Sequence, residues 1–380
     1  MSQLDAWLEG EWRAWGVRPP ESEQRTWRAV LARGRLLARH EGERLVAGLA
    51  HVPSLLTVPG AEVGTSILAS AWVEPTRRGR GLLRGLVREY LDGLHEEGVA
   101  VAVLQPAESG IYRGFGYGMA VEMVTARLPT RAGGFPGGEG RLELASWPQA
   151  REPMAASYER ACAAFPGMLA RDAAWWDYSY HRAEELPIFV ALHDGGFAAY
   201  SVEQRWRDGS PEDLVTVHEL VADSPDAYAS LWRHCLDLAL AGRLVAYCRP
   251  RDEPLQHLLR DPRRLRQRPV DGLHVRLVDV AAALAARRYG SGEGAVLEVE
   301  DEFCAWNRGR YRVEDGGCEA TGRPPDLVLD AGALGAVYLG GASLDSLWRA
   351  GRVRECRAGA VKRADMLFAW SPRPWLSWSY

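Results

Sequence analysis

Apolar residues follow two different spacings along the first 130 residues of this chain, and the spacings predict helices alternating with strands. Segments Leu4–Trp15 and Glu21–Leu31 repeat apolar positions every three or four residues, as one buried face of a helix requires. Segments Arg35–His40 and Arg44–Val52 are typical of strands, and the turn residues Glu41-Gly42-Glu43 separate them. The pattern therefore predicts two helices followed by a hairpin.

A second pattern predicts a parallel pair of strands. The short apolar run Ile67–Val73 ends before Pro75, and a strongly amphipathic helix follows from Leu82 to Leu94. Gly98 ends that helix, and Val99–Leu104 is a continuous apolar run typical of a buried strand. Because a strand, a helix and a strand in this order form a crossover, part of the sheet should be parallel.

The rest of the chain mixes the same two patterns, which predicts a mixed α/β fold throughout. Thr130–Gly140 contains five glycines and is a candidate linker. In the middle segment we expect helices at Ala150–Ala164 and Asp226–Ala241, a hairpin of Ile188–Leu192 with Ala198–Glu203, and a closing strand at Val275–Val280. In the last segment we expect strands at Ala295–Val299 and Tyr311–Val313, then helices at Ala331–Leu339, Ser343–Ala350 and Ala358–Phe368.

Composition narrows the class of protein. A length of 380 residues is enough for two or three domains, and a net charge of −4 argues against a general nucleic-acid binder. No apolar run approaches the length of a membrane span, and the first residues lack the basic region of a signal peptide. The six cysteines are scattered, which favours reduced thiols in a cytoplasmic protein and argues against a metal site.

The segment Val73–Arg84 carries the strongest local chemistry. Gly79 and Gly81 permit a turn whose successive N–H groups point at one anion, and the helix that follows adds the positive end of its dipole. Arginines at 77, 78, 80 and 84 surround the turn, so a pyrophosphate is the expected ligand. The alternative is a glycine-rich turn with solvated arginines. The segment fits neither a Walker A loop nor a dinucleotide fingerprint.

This turn resembles the acetyl-CoA signature R/Q-x-x-G-x-G/A of the GCN5-related N-acetyltransferase (GNAT) superfamily, with Arg78 and Gly81 at matching positions. Leu83 in the last position departs from the general signature. It is similar instead to the P-T-x-R…G-L-L-R version in one branch, the Eis-like (enhanced intracellular survival) acetyltransferases. A second segment, Glu108–Gly118, resembles the E-x-x-I-Y-x-x-F-G-Y-G motif of the same branch throughout.

The resemblance continues through most of the chain. Val217–Trp232 and Asp271–Val280 are similar to central segments of Eis-like proteins, and Pro325–Leu327 and Tyr338–Gly341 fit their sterol-carrier-like domain. It implies a catalytic GNAT domain over residues 1–130, a degenerate GNAT-like domain over 141–280, and a sterol-carrier-like domain over 290–380. The middle domain lacks the glycine turn, so we expect it to bind no CoA.

The resemblance also implies roles for individual residues. Tyr112 would be the general acid, the alternative being an aromatic that only packs in its loop. The α-carboxylate of Tyr380 would be the general base, the alternative being a frayed tail. Acetyl-CoA would be the cosubstrate, without a metal, held by Ala71, Trp72, Val73, Arg78, Gly79, Arg80, Gly81, Leu82, Leu83, Glu108 and Ser109.

The acceptor implied is a small-molecule amine, namely an aminoglycoside, a polyamine, lysine or a related amine, and not a nucleic acid or a membrane. Eis-like sites are acidic, and the candidates to line this one are Glu21, Glu23, Glu62, Glu108 and Asp365, the alternative being that each is an ordinary solvated carboxylate. Trp375 and Trp378 would give the acceptor cleft aromatic walls, whereas His218 is expected to be structural. The resemblance further implies a hexamer. Two other functions stay open, a dedicated natural-product acetyltransferase and a ligand-binding module with a vestigial GNAT domain.

Overall fold

A computed structural model describes residues 3–130, 137–138 and 140–380 of the chain. The first part forms α1 (Gln3–Trp15), α2 (Glu21–Leu31), β1 (Arg35–Glu41), β2 (Arg44–Val58), β3 (Ala61–Val73), α3 (Leu82–Glu96), β4 (Val101–Leu104), α4 (Ser109–Arg113), β5 (Gly118–Met119) and β6 (Glu122–Pro129).

The middle part contains nine strands and five helices among the described residues. They are β7 (Glu143–Ser146), α5 (Trp147–Ala164), α6 (Ala173–Ser179), β8 (Phe189–His193), β9 (Gly196–Glu203), β10 (Trp206–Arg207), β11 (Ser210–Pro211), β12 (Asp213–Ala222), α7 (Pro225–Leu236), β13 (Ala241–Pro250), α8 (Leu255–Leu258), β14 (Arg266–Asp271), β15 (His274–Leu277) and α9 (Val280–Ala286).

The last part forms a smaller unit of strands and helices. They are β16 (Ala295–Glu300), β17 (Gly309–Glu314), β18 (Gly317–Ala320), β19 (Leu327–Asp330), α10 (Ala331–Val337), α11 (Leu344–Arg349), β20 (Val353–Glu355) and α12 (Ala360–Phe368).

Across the described residues the strands assemble into three large sheets and a short ribbon of β10 with β11. The first sheet has the order β1-β2-β3-β4-β15-β5, the second β14-β6-β13-β12-β9-β8-β7, and the third β18-β17-β16-β19-β20. Strands β3 and β4 pair in parallel, as the crossover predicts, and α3 connects them. The mixed α/β fold is therefore confirmed.

Strands β6 and β15 each pair in a different sheet from the one that the expected domain boundaries imply. The expected boundary at residue 130 puts β6 with the first unit, whereas β6 pairs with β13 and β14 in the second sheet. The expected middle unit includes β15, which instead pairs with β4 and β5 in the first sheet. A strand's apolar pattern marks its burial but does not say which neighbour it will pair with, so the sequence gives no warning of this exchange.

Several predicted elements change length. The helix expected over Asp226–Ala241 ends at Leu236, because the backbone leaves the helix at Asp237 and Leu240 has a positive φ of 66°. The strand expected over Val275–Val280 ends at Leu277, since Val280 already begins α9. The predicted elements do not include strands β5, β6, β7, β10, β11, β12, β13, β14, β18, β19 and β20, although buried and partly buried residues alternate along β12. Most of the candidate linker Thr130–Gly140 lies outside the described residues.

Helix α1 packs across β2 and β3 through tryptophan contacts. Trp7 and Trp72 meet edge to face with ring centroids 5.7 Å apart. Gly10 is required beneath them, because a Cβ atom there would lie 2.3 Å from the Trp72 ring. The Trp72 side chain thus belongs to the core.

The described residues contain neither a candidate membrane span nor a candidate metal site. Within them, no helix has the length and apolar character needed to cross a membrane. No set of three or more His, Cys, Asp or Glu side chains in the same residues is placed to hold a metal ion.

Candidate active site

The site begins where two parallel strands separate. Strands β3 and β4 pair only from Thr65–Ile67 to Val101–Val103. Strand β4 ends at Leu104, whereas β3 continues to Val73 with β2 on its other side. The edge of β3 beyond Ile67 therefore faces an opening, where its backbone groups can bind an extended ligand as a further strand would.

The glycine turn lies at the end of β3. Gly79 and Gly81 both have φ of 77°, a left-handed conformation that favours glycine, and a Cβ atom at either would point into open space. Gly81 is the N-cap of α3, and no side chain caps this helix. The first amide groups of α3 are therefore left for another acceptor, as in sites that bind phosphate at a helix N-terminus.

A pocket of about 460 Å³ opens on this turn, and nine of the expected cofactor-binding residues line it. They are Ala71, Trp72, Val73, Arg78, Gly79, Gly81, Leu82, Leu83 and Glu108. Arg80 and Ser109 do not line it. Arg80 lies 3.4 Å from Glu41, and the Ser109 hydroxyl donates to Asp271, so each is held by a carboxylate elsewhere.

The arginines of the turn do not converge on one point as expected. Arg77 forms an ion pair with Glu41 at 2.7 Å, and Arg84 lies over the Phe303 ring. Arg78 donates weakly to the carbonyl oxygens of Ala14 and Val73, at 3.4 and 3.5 Å. The long side chains thus meet partners within the protein, and of these arginines Arg78 has only neutral backbone acceptors.

A second pocket of about 560 Å³ adjoins the first. The two share the lining residues Trp15, Ala71, Leu83, Glu108 and Ile111, so they form one continuous cleft along the free edge of β3. Tyr112 and Tyr380, the two expected catalytic residues, both line the second pocket although they are far apart in sequence.

Tyr112 lies in the short helix α4 and is largely buried. Its ring packs edge to face against Phe115 and Tyr117, with centroids 6.2 and 5.9 Å away. Burial raises the pKa of Tyr112 to about 12, because the phenolate would lose its hydration. The hydroxyl therefore keeps its proton at neutral pH and remains available to donate it.

The second pocket is acidic, although with a partly different set of residues from the one expected. Glu23 and Glu108 line the second pocket, whereas Glu21, Glu62 and Asp365 do not. Glu11 and Asp271 line it and were missed. Glu11 is the more detectable of the two, because it is a charged residue on the apolar face of α1 beside Trp7 and Trp12.

Glu11 is a buried carboxylate that accepts hydrogen bonds from neutral donors. In the part of the chain that the structure describes, its oxygens accept hydrogen bonds only from Trp27 Nε1, at 3.1 Å, and from the Ser70 hydroxyl. Burial raises the pKa of Glu11 to about 7, and these two hydrogen bonds offset only part of the effect. A cationic ligand in the pocket would stabilise its charged form.

Aromatic side chains also line the second pocket, but Trp375 and Trp378 are not among them. The expectation for those two residues is wrong, because both are buried against the middle unit. The aromatic walls come from Trp12, Trp15, Trp27, Tyr112, Tyr178 and Tyr380.

The tail segment, Trp375–Tyr380, is docked rather than frayed. The indole of Trp375 donates to the Cys248 carbonyl oxygen at 2.7 Å, and that of Trp378 donates to the Tyr158 hydroxyl at 2.8 Å. The Ser377 hydroxyl donates to Glu219 at 2.5 Å. These contacts hold the tail segment against the middle unit, so Tyr380 reaches the cleft from a fixed anchor.

Glu219 itself is buried in an ion pair. Arg171 lies 3.0 Å from one Glu219 oxygen, and the Tyr180 hydroxyl donates to the same carboxylate at 2.8 Å. The Arg171 guanidinium also lies over the Trp378 ring at 4.5 Å. His218, the neighbour of Glu219, lies 2.9 Å from the Ser201 hydroxyl and does not line either pocket of the cleft.

Family models match most of the chain in three consecutive parts. An acetyltransferase (GNAT) domain model matches residues 1–120, and a second acetyltransferase (GNAT) domain model matches residues 167–277. A sterol carrier protein domain model matches residues 280–377.

Whole-chain relatives agree. An uncharacterized N-acetyltransferase of Streptomyces avermitilis is 37% identical over 97% of both chains. The N-acetyltransferase Eis of Mycobacterium tuberculosis is 34% identical over 86% of this chain and 84% of its own length. The crystal structure of Eis1 from Mycobacterium abscessus superposes with a TM-score of 0.89 at 34% identity, covering 100% of this chain and 98% of that one.

Proposed function

Because this chain belongs to the Eis-like branch of the GCN5-related N-acetyltransferases, we propose that it transfers the acetyl group of acetyl-CoA to a primary amine by direct attack. The acceptor is an aminoglycoside, a polyamine, lysine or a related amine. Tyr112 is the general acid, and the α-carboxylate of Tyr380 is the general base.

One observation carries this proposal: Tyr112 and Tyr380 line one pocket, and that pocket is continuous with the pocket on the glycine turn. The turn offers uncapped helix amides for the pyrophosphate, and the free edge of β3 offers backbone partners for the extended arm of the cosubstrate. The residues present therefore fit acetyl-CoA, which supplies the thioester.

The side chains divide the proton transfers between them. An amine with an ordinary pKa near ~10.4 is mostly protonated at neutral pH and must lose a proton before it attacks. The Tyr380 carboxylate accepts that proton. As the new C–N bond forms and the C–S bond breaks, Tyr112 donates its hydroxyl proton to the departing sulfur. Holding the amine in line within the cleft supplies a further part of the rate.

The lining of the cleft supports a cationic acceptor. Glu11, Glu23, Glu108 and Asp271 surround the second pocket, where carboxylates attract and orient an ammonium group. Tryptophan walls favour an acceptor that also carries a flat apolar part, because cations and apolar groups both bind to indole faces. The walls thus favour, as a second candidate, a dedicated acetyltransferase for one natural-product amine.

A thiol-release screen with acetyl-CoA tests both candidates. The panel contains aminoglycosides, polyamines, lysine peptides and arylalkylamines, each assayed for CoA production and for the acetylated product. A broad set of substrates supports the first candidate, and a strong preference for one aromatic amine supports the second. Acetyl-CoA binding by calorimetry without turnover of any amine would contradict both.

Tyr112→Phe tests the acid. The expected result is a fall in kcat on the order of 10²-fold, because the leaving sulfur loses its proton donor, with unchanged acetyl-CoA affinity. Tyr200→Phe in the middle unit is the matched control, because it removes a hydroxyl that lies 2.9 Å from His234 and lines neither pocket. Equal activity of the two variants would remove Tyr112 from the mechanism.

The cytoplasmic location and the hexamer stay predictions.

A further inference from the structure

The last residues of the chain meet a glutamine that no motif singles out. Gln105 directly follows β4, at the point where β3 and β4 have already separated, and it lines the second pocket. Its side-chain oxygen accepts hydrogen bonds from the Tyr380 backbone N–H at 2.9 Å and from the Ser379 hydroxyl at 3.0 Å. Its side-chain nitrogen donates to the Trp378 carbonyl oxygen at 3.3 Å.

Both ends of the Gln105 amide are therefore used by three consecutive residues of the tail segment. A primary amide offers donors on nitrogen and an acceptor on oxygen, so it can bind a backbone carbonyl and a backbone N–H together, as a neighbouring strand does. The tail segment has no regular secondary structure, and Gln105 supplies these partners from the first unit.

The second constraint on Tyr380 is its side chain. The ring is packed beside Trp175 and Trp378, with centroids 5.4 and 5.5 Å away. Two of the four substituents of the Tyr380 Cα atom are thus held, the nitrogen by Gln105 and Cβ by the packed ring. Because Cα is a tetrahedral centre of fixed chirality, the direction of the α-carboxylate is then determined.

We propose that Gln105 is a positioning residue that fixes the α-carboxylate of Tyr380 in the second pocket. This inference rests on the proposed role of that carboxylate as the base. Gln105 holds the base in reach of the amine through the Tyr380 N–H and leaves the glycine turn and Tyr112 untouched. A small displacement of a reacting group lowers rates on the order of 10²-fold, which sets the expected effect.

A double-mutant cycle tests the inference. Gln105→Leu keeps the side-chain volume and removes all three hydrogen bonds, and one alanine added after Tyr380 displaces the carboxylate directly. We expect Gln105→Leu to lower kcat about 10- to 100-fold, with the KM for acetyl-CoA unchanged. In the extended chain, the same substitution should change kcat by less than about threefold, because the group it positions has already moved.

The outcomes separate this inference from the proposed function. An extended chain with full activity contradicts the base role of the carboxylate and the inference with it. Low activity of the extended chain together with full activity of Gln105→Leu overturns the inference alone. Independent, multiplying losses in the double variant also overturn it, since Gln105 would then act through something else.

A pH profile adds a readout that loss of packing would not change. Gln105→Glu keeps an acceptor for the Tyr380 N–H but places a second negative charge near the α-carboxylate, which disfavours its ionised form. The acidic limb of kcat/KM should move to higher pH, while Glu11, Glu23, Glu108 and Asp271 in the same pocket are unchanged. An unmoved limb contradicts the inference. Gln256→Leu, remote from the cleft, is the control substitution and should leave the profile unaltered.

Discussion

Two parts of this chain have the same local topology and opposite chemistry. In the first unit, β3, α3 and β4 form a parallel crossover, and in the middle unit β12, α7 and β13 form another. The first helix begins after Gly79 and Gly81 without a cap. The second begins after Ser224, whose hydroxyl accepts from the Ala227 N–H at 3.3 Å.

The second turn lacks the features that make the first turn a candidate anion site. Pro225 occupies the first position of α7 and has no N–H, and the Ser224 cap already uses another amide. Asp223 adds a carboxylate, paired with Arg160 at 2.7 Å, where an anion would need a positive field. The two crossovers therefore share one topology and differ in the residues of the turn that precedes the helix.

The opening between the strands is used differently as well. In the middle unit the parallel pairing ends at Val217 and Ala246. Two residues further along each strand, the Glu219 carboxylate and the Cys248 carbonyl oxygen accept hydrogen bonds from the tail segment. Gln105 stands at the same distance past the end of pairing in the first unit, two residues beyond Val103. The tail segment thus contacts both units at this point, through Glu219 and Cys248 in the middle unit and through Gln105 in the first, where a cleft also remains along β3.

The largest test of this comparison removes the tail segment. Deleting Trp375–Tyr380 should lower kcat by about 10²- to 10⁴-fold, the usual contribution of a general base, while acetyl-CoA still binds. No residue of the tail segment lines the pocket on the glycine turn, so the affinity for acetyl-CoA, measured by calorimetry, is the internal control. Removing Tyr380 alone leaves the buried tryptophans in place and should give a similar loss. A kcat within threefold of the full chain would break the comparison.

The next test compares two buried carboxylates. Among the described residues, Glu11 accepts hydrogen bonds from neutral donors only and has a raised pKa, whereas Glu219 forms an ion pair with Arg171. A carboxyl group whose pKa is raised on folding stabilises the fold below its unfolded pKa of 4.5 and loses that contribution as the pH rises through about 7. We therefore compare the free energy of unfolding of Glu11→Gln with that of the wild type at pH 4.5 and at pH 8. The difference should shift in favour of Glu11→Gln by up to about 3 kcal/mol as the pH rises between these values.

Urea unfolding at the two pH values measures this difference. Glu219→Gln should instead be destabilised at both pH values by roughly 3–5 kcal/mol, because Arg171 is left as an uncompensated buried charge. A pH-independent Glu11→Gln difference would show that Glu11 is ionised in the free protein and that the cleft carries a permanent charge there.

The glycine turn gives the third test. Gly81→Val forces a β-branched residue into a left-handed conformation, which costs about 1–3 kcal/mol. Relief of that strain would distort the amide groups of the turn, so the Kd of acetyl-CoA should rise about 10- to 100-fold. Unchanged affinity would mean that the pyrophosphate is bound elsewhere.

The smallest expected effect is at the matching turn. Ser224→Ala removes the cap of α7 and should lower the free energy of unfolding by about 1 kcal/mol. It should leave both acetyl-CoA affinity and kcat unchanged, since the turn faces no ligand. Thermal unfolding and calorimetry on one sample measure both quantities. A lowered acetyl-CoA affinity would contradict the expectation that the middle unit binds no CoA.

The features that could be predicted from the sequence are those that lie within one short segment of the chain. The glycine turn, the Tyr112 motif and α3 each lie within one short segment, so residue type and spacing identify them. The exchange of β6 and β15, and the contact of Ser377 with Glu219 across 158 residues, depend on tertiary pairing that no spacing records. Gln105 carried no signal, because a lone glutamine after a strand is ordinary.

The exchanged strand β15 has a consequence for how the protein is made. Its partner β4 precedes it by roughly 170 residues, so the first sheet cannot close until most of the chain has left the ribosome. Until then β4 has an unpaired edge, which is a surface prone to aggregation. The catalytic unit is thus completed late in synthesis, and a fragment ending near residue 130 should be insoluble however intact its motifs are.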